Sequence, residues 1–544
     1  MTSGRADSVV ARLAAGAIAP GAVALVIACA AAWIALLTPV SAAAQGAALL
    51  PPTDPAHAHL RMLEAAGVVA RGLQGVGPLS EARVAWVVRD ARALLAASLE
   101  LPQSRRADLL AAVQALEARF GSGAAGGLVE LEGSVGESPG RGVPDIPLGG
   151  LDVVVNPLIG GSGGRSLGDR AGVAVAARAG VGLGSRAALV LGGRADASRY
   201  SGDAPGRRGG VLELALVRAV AGPVALEVGR SPLRSGLAGT FGLVLAPSLP
   251  SLDLVRISAD RPIAVPVLGD LDFQLFAADL GPAQSYPHAS LFGWVLGSRP
   301  VEGTRFELAL LSKQGGEGAP EAPFLDRLED FAWIGSWWSP RADNLSDKYA
   351  SLGIRTRLAA VELLAEAALT DMDRALPRHT LVESAAYRLG VALPALGPAG
   401  RHALRVEGVT AGPHMYRHEV FRTGAAVEGY AQGSDVGPDG RAILVAHAFT
   451  APASGWRTEV SLAVEERSAD AWSRSPLEAD ALVLLEDRAE EVRARLAATL
   501  TRDFLEARMG ARVTLGGERI RNFAFQAGAH RWSWTARVGL WRAF

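Results

Sequence analysis

The chain has 544 residues, a formal net charge of -1 and a mean hydropathy of +0.21. That balance gives no global electrostatic case for a nucleic-acid partner. Its one cysteine, Cys29, lies in an apolar N-terminal run, so neither a disulfide framework nor a thiolate metal set is expected. The 64 glycines show no three-residue period, which excludes a collagen-like chain and suits strands and tight turns.

Residues 1–44 carry Arg5 and Arg12 ahead of a long apolar run, with small residues at Ala42 and Ala44. This is the pattern of a signal peptide cleaved after Ala44. A lipoprotein reading of "VIAC" and an uncleaved anchor are the alternatives. Beyond residue 45 no apolar run is long enough for a transmembrane helix. An exported chain of this kind is either soluble outside the inner membrane or a β-barrel in the outer one.

Residues 45–122 read as a small periplasmic helical bundle. "DPAHAHLRMLEAAGVV" places Ala58, Leu60, Leu63 and Val68 near helical spacing. Ser80 is an N-cap for a second helix with Val84, Val87, Val88 and Leu94 on one side. A third carries Leu109, Leu110, Val113, Leu116 and Phe120 and stops at Gly121. Residues 123–149, rich in Gly, Ser and Pro, read as a linker leading into the next domain.

From residue 150 to 544 the period becomes two. Phe306, Leu308 and Leu310 alternate with Arg305 and Glu307; Tyr387, Leu389 and Val391 alternate with Arg388 and Gly390. Val460, Leu462 and Val464 alternate with Glu459, Ser461 and Glu465. Successive strand side chains point to opposite faces, so each strand has an apolar face and a polar one. A soluble sandwich would also alternate. An aliphatic and aromatic face about ten residues long, set against Arg, Glu, Asp and Thr, instead predicts a transmembrane barrel with a polar interior. At roughly ten residues per strand plus turns, the ~395 residues allow about 16 to 18 antiparallel strands. The final stretch, "RWSWTARVGLWRAF", alternates in the same way and ends at Phe544. It reads as the closing strand.

No catalytic motif is present: there is no G-x-S-x-G, H-E-x-x-H or Walker loop, and no cofactor or metal is predicted. His57 and His59 at i, i+2 do not share a helical face. His414 and His418 form a weak ligand pair in a loop-like segment. The irregular stretch 324–358 combines Trp333, Trp337, Trp338 and Tyr349 with Asp343, Asn344 and Asp347. Aromatic faces stack on sugar rings while carboxylates and amides bind hydroxyls, so this stretch is a candidate glycan contact. Its bland alternative is an interfacial girdle or a loop packed in the lumen. Glu362 with Glu366, and Arg405 with Glu407, share a strand face. They predict cross-strand ion pairs filling the barrel, with Arg388 and Arg256 as partners, or else a substrate path.

Four segments together resemble the Wzi-type capsule-assembly family of outer-membrane proteins. They are "PPTDPAHAHLRMLEAAGVV" (51–69), "SLPSLDLVRISADRPI" (248–263), "ADNLSDKYASLGIRTRLAAVELLAEAALTDMD" (342–373) and "MYRHEVFRTGAAVEGYAQGSDVGPDGRAI" (415–443). The Ala/Gly-rich stretch 164–193 departs from that pattern. The resemblance implies an all-β transmembrane barrel of about 18 antiparallel strands with a small N-terminal α-helical bundle. It implies binding or anchoring of capsular or exopolysaccharide at the cell surface, without catalysis. It assigns no individual binding residue. The expected partners are therefore a surface polysaccharide, outer-membrane lipid and, through Phe544, the barrel assembly machinery. A passive porin, an outer-membrane enzyme acting on lipid or glycan, and a soluble periplasmic β-protein are the rival readings. Deleting Phe544 is expected to lower the amount of protein assembled in the outer membrane, measured in fractionated cells. Undiminished insertion would remove the role given to that residue.

Overall fold

The computed structural model describes residues 49–50, 54, 56–69, 79–97, 101–120, 127–138, 156–158, 167–168, 170–182, 186–199, 207–235, 237, 240–320, 323, 346–370, 379–418, 420–474, 482–504 and 507–543. Three helices come first: α1 (Ala56–Ala65), α2 (Glu81–Ala97) and α3 (Gln103–Phe120). Leu63, Val84, Val88, Leu95, Leu109, Val113 and Leu116 bury into one small core between them. Ser80 caps α2 as expected, its Oγ accepting the Arg83 N–H at 3.1 Å. Leu94 and Leu110, expected in this core, lie on its surface; their neighbours Leu95 and Leu109 take the inward positions.

The strands are β1 (Gly127–Glu137), β2 (Ala171–Gly182), β3 (Ala187–Arg199), β4 (Arg207–Ala221), β5 (Val224–Ser231) and β6 (Leu252–Ala259, continued by Ile263–Val265). Then come β7 (Gly269–Asp279), β8 (Ser290–Val301), β9 (Thr304–Gln314), β10 (Ser346–Leu358), β11 (Val361–Thr370) and β12 (Ala385–Leu396). The last six are β13 (His402–Ala411), β14 (Gly440–Ala451), β15 (Trp456–Arg467), β16 (Glu491–Phe504), β17 (Met509–Arg521) and β18 (His530–Ala543). Each pairs antiparallel with its sequence neighbour, and β1 pairs with β18 from Leu128↔Ala543 to Glu137↔Trp534. The result is a closed 18-strand barrel with no free edge. β1 lies inside the stretch read from sequence as a linker. Its outward set Val129, Leu131 and Val135 is broken by Gly133, which hides the alternation in a Gly/Ser-rich context.

Alternation sorts the wall into two surfaces. Leu389 is 67% exposed beside Arg388 at 1%, and Trp532 is 72% exposed beside Ser533 at 3%. Leu352, Leu496, Leu515, Val538 and Leu540 continue the outward apolar band. On the closing strand Trp532, Trp534, Val538 and Leu540 are exposed while Ser533 and Thr535 are buried, in keeping with its alternation. Phe544 lies outside the described residues.

Strand connections are short at one end of the barrel and long at the other. At the short-turn end the links include 222–223, 302–303 and 359–360; at the long-loop end they include 232–251 and 412–439. The helices dock on the short-turn end through charged groups. Asp54 is held by Arg119 at 2.5 Å and by Arg178 of β2. Arg83 reaches Asp272 at 3.3 Å, Arg357 donates to the Glu64 carbonyl at 3.1 Å, and Arg401 meets Asp108 at 2.5 Å. Burial pushes Asp54 up, but the two guanidiniums outweigh it and hold the carboxyl below its usual range. Burial, with Arg457 and Arg119 nearby, lowers the pKa of His59 to about 3, so the ring stays neutral beside Asp503.

A closed barrel resists detergent until heated. Unheated protein extracted in mild detergent is expected to migrate faster on a gel than boiled protein. Equal mobility of the two would contradict closure.

Candidate functional site

Among the described residues the barrel interior carries many buried charged side chains, and a large share of them form ion pairs. On one wall Arg388 of β12 stands opposite Glu366 of β11 in the ladder and binds it at 2.7 Å. Arg388 also lies 3.8 Å from Glu407 of β13, which Arg405 approaches at 3.5 Å. Arg355 pairs with Glu362 at 2.6 Å. Cross-strand pairs are thus present at Glu362, Glu366 and Glu407, whereas Arg405 reaches Glu407 within its own strand and Arg256 pairs with Glu227 instead. Elsewhere Glu227 accepts from Arg218 at 3.0 Å and Arg256 at 3.1 Å. Arg493 sits between Glu491 at 2.8 Å and Glu518 at 3.2 Å, and Arg495 binds Glu465 at 2.9 Å. Breaking one partner of such a buried pair strands the other charge, so these residues hold one another in place.

The same groups hold the long loops inside. The β5–β6 connection turns into the barrel rather than away from it. Leu233, Phe241, Leu243, Val244, Leu245 and Leu249 bury in one core with residues of the β13–β14 connection. Arg388 donates to the carbonyls of Phe241 and, at 2.9 Å, Leu237. Arg256 donates to the Pro232 carbonyl at 2.8 Å and Gln274 to the Arg234 carbonyl at 2.6 Å. Glu407 accepts the Thr240 N–H at 3.0 Å. The β13–β14 connection locks on through Tyr416, whose hydroxyl donates to the Leu243 carbonyl at 2.9 Å. Lys313 is fully buried and donates to Thr423 and to the Gly424 carbonyl at 2.9 Å. Two wall glycines make room: a Cβ at Gly353 would collide with Leu237, and one at Gly516 with Leu158.

Trp333, Trp337, Trp338, Asp343 and Asn344 lie outside the described residues. Tyr349, grouped with them as a glycan contact, is fully buried and donates to Asp347 at 2.7 Å. It faces the interior of β10, so its ring packs in the core and offers no face to a sugar from outside. His414 and His418 do not converge. His414 packs edge-on against His379, with ring centroids 5.3 Å apart. His418 Nδ1 accepts the N–H groups of Val420 and Phe421, each at 3.1 Å. Among the described residues no group of three or more His, Cys, Asp or Glu is arranged to hold a metal ion.

One constellation escaped the sequence. Ser384 Oγ lies 3.2 Å from His379 Nε2, and His379 Nδ1 lies 3.2 Å from Glu383. The connectivity is that of a hydrolytic triad, yet Ser384 is fully buried. It closes a π turn in which the Ser384 N–H donates to the His379 carbonyl at 2.8 Å. No substrate carbonyl reaches its hydroxyl, and the chain of bonds serves the turn. A five-residue separation is outside the usual helical spacings, so sequence gave no signal.

An even-numbered antiparallel barrel with an outward apolar band, short turns at one end, long loops at the other and a charged interior is the architecture of outer-membrane β-barrel proteins. The family model of the capsule assembly protein Wzi matches residues 154–531, more than half of the chain. The chain belongs to that family, and its place is the outer membrane. The solved structure of Wzi, described as an outer-membrane protein involved in group 1 capsule assembly in Escherichia coli and a carbohydrate-binding β-barrel, is similar with a TM-score of 0.63. The match is 14% identical and covers 91% of this chain and 99% of that one. OccD3 of Pseudomonas aeruginosa (TM-score 0.44, 10% identity) and OccAB3 of Acinetobacter baumannii (0.42, 9%) each cover 77% of this chain. They match over 90% and 99% of their own lengths. A comparison with curated protein sequences gives no match.

Arg388 is the joint between wall and inward loop. Arg388→Met is expected to lower stability by about 3–5 kcal/mol, because Glu366 and two loop carbonyls lose their donor. Equilibrium unfolding of the refolded barrel in urea measures this. A loss under ~1 kcal/mol, the scale of exposed pairs, would show that the cluster is not holding the loop.

Proposed function

We propose that this protein binds capsular or exopolysaccharide at the cell surface and retains it there, acting as a lectin-like anchor without catalysis. The observation that carries the reading is the filled lumen. The β5–β6 and β13–β14 connections occupy the interior at the long-loop end and are fastened by Arg388, Arg256, Glu407 and Tyr416. Loops held inside the lumen favour a binding surface over an open passage. Membership in the capsule assembly family and likeness to a carbohydrate-binding barrel support the same reading.

In this reading the long-loop end faces outward and the helical bundle sits in the periplasm beneath the short turns. Trp333, Trp337, Trp338, Asp343 and Asn344, in the β9–β10 connection, supply stacking faces and hydroxyl partners for sugar rings. The glutamates and arginines of the wall act from below, fixing the loops that present the binding surface. The apolar band meets outer-membrane lipid, and the end at Phe544 is read by the barrel assembly machinery. Cleavage at Ala44 would release the export signal.

The test separates anchor from channel. Deleting the gene is expected to move polymer from the cell-bound to the released fraction while total polymer changes little; unchanged retention would reject the anchor. Purified protein in a planar bilayer is expected to show no sustained ion conductance, whereas steady porin-like conductance would favour a channel.

A further inference from the structure

His402 opens β13 and His447 lies on β14, and the two strands pair with His402 opposite Phe449 and Leu404 opposite His447. Directly opposed residues share a face, so all four point outward from the barrel, and the two histidines are diagonal neighbours. Both rings are exposed. His402 Nδ1 and His447 Nε2 lie 3.2 Å apart, with ring centroids at 5.3 Å and planes tilted by 30°. Phe449 packs on His402 with centroids 5.1 Å apart, which limits how that ring turns. The pair sits at the short-turn rim. There Trp456 and Phe504 of the next two strands, both exposed, carry the Arg502 guanidinium over their faces, an arrangement of the membrane–water boundary.

We infer that His402 and His447 form a two-histidine site for a divalent transition-metal ion on the outer face of the barrel rim. Metal–imidazole bonds of about 2.0–2.1 Å spanning the observed separation give an N–metal–N angle of about 100°. That lies between adjacent octahedral positions and a tetrahedral pair, so the two nitrogens need only small ring rotations to converge. In the empty pair one ring donates its N–H to the other. On binding, that hydrogen moves to the far nitrogen of its own ring, and each facing nitrogen gives its lone pair to the metal, with no net proton released from the neutral pair. Water fills the remaining positions, which makes this an exchangeable site and not a structural one. Copper(II) is held more tightly than nickel(II) or zinc(II) by such nitrogen ligands. Two imidazoles on paired strands are already aligned by the ladder, so little ordering cost remains when the metal arrives.

The probe is copper(II) alone, titrated into full-length mature protein in detergent, purified without a polyhistidine tag and followed by electron paramagnetic resonance. One equivalent with hyperfine structure from two imidazole nitrogens is expected. His402→Ala and His447→Ala are each expected to weaken binding at least on the order of tenfold, since even second-shell changes cost that much. His530→Ala, at the opposite rim, is expected to change nothing. Faster gel mobility before heating confirms that each variant is folded, and His402→Gln and His447→Gln replace any alanine variant that is not. Unchanged affinity in the double variant, or a wild-type spectrum without two coupled nitrogens, would overturn the site.

Discussion

Closure of the sheet through β1 and β18 is the constraint on which the rest depends. Inside a bilayer an unpaired backbone N–H or C=O has no water to turn to, so a strand-built span survives only if its two edges find each other. Here ten residue pairs, from Leu128↔Ala543 to Glu137↔Trp534, join the first strand to the last. Every other property of the wall follows once that seam exists. Alternation then acquires two distinct environments, an outer surface and an enclosed interior, with the exposed apolar band on the first and the buried charges on the second.

An enclosed interior wide enough for 18 strands must be filled or left wet. This chain places its own loops there, and their apolar residues pack against inward wall residues such as Leu254, Phe276, Leu291 and Leu311, beside the wall's ion pairs. The ion pairs of the wall satisfy one another and still have donors left for loop carbonyls. The apolar residues of the two inward connections meet in a core that the wall alone could not supply. Ion pairs and apolar burial thus share the inner wall, and the helical bundle docks at the short-turn mouth through further arginine–carboxylate pairs.

How much of this was legible from sequence depends on range. The period-two patterns around Arg388, Glu407 and Trp532 announced both faces of the barrel, because alternation is a local property. The pairing of Glu366 with Arg388 followed from neighbouring strands and was also within reach. The inward path of residues 232–250 was not, since nothing local says that Phe241 will end beneath an arginine from residue 388. β1 was missed because Gly133 interrupts its alternation, and the Ser384–His379 contact because a π turn is rarely anticipated. Tyr349 was read as a glycan contact or as a residue packed in the lumen, and its strand parity, which points inward, agrees with the second.

The wall holds the plug through backbone carbonyls: Arg388 takes those of Leu237 and Phe241, Arg256 that of Pro232 and Gln274 that of Arg234, while Tyr416 of the second inward loop takes that of Leu243. A carbonyl is the same whatever side chain it belongs to. At those points the scaffold dictates the route of the loop whatever the side chain, while the buried Leu233, Phe241 and Leu243 are fixed by the core they fill. Loop positions that point away from that core can therefore change without redesigning the cylinder that carries them.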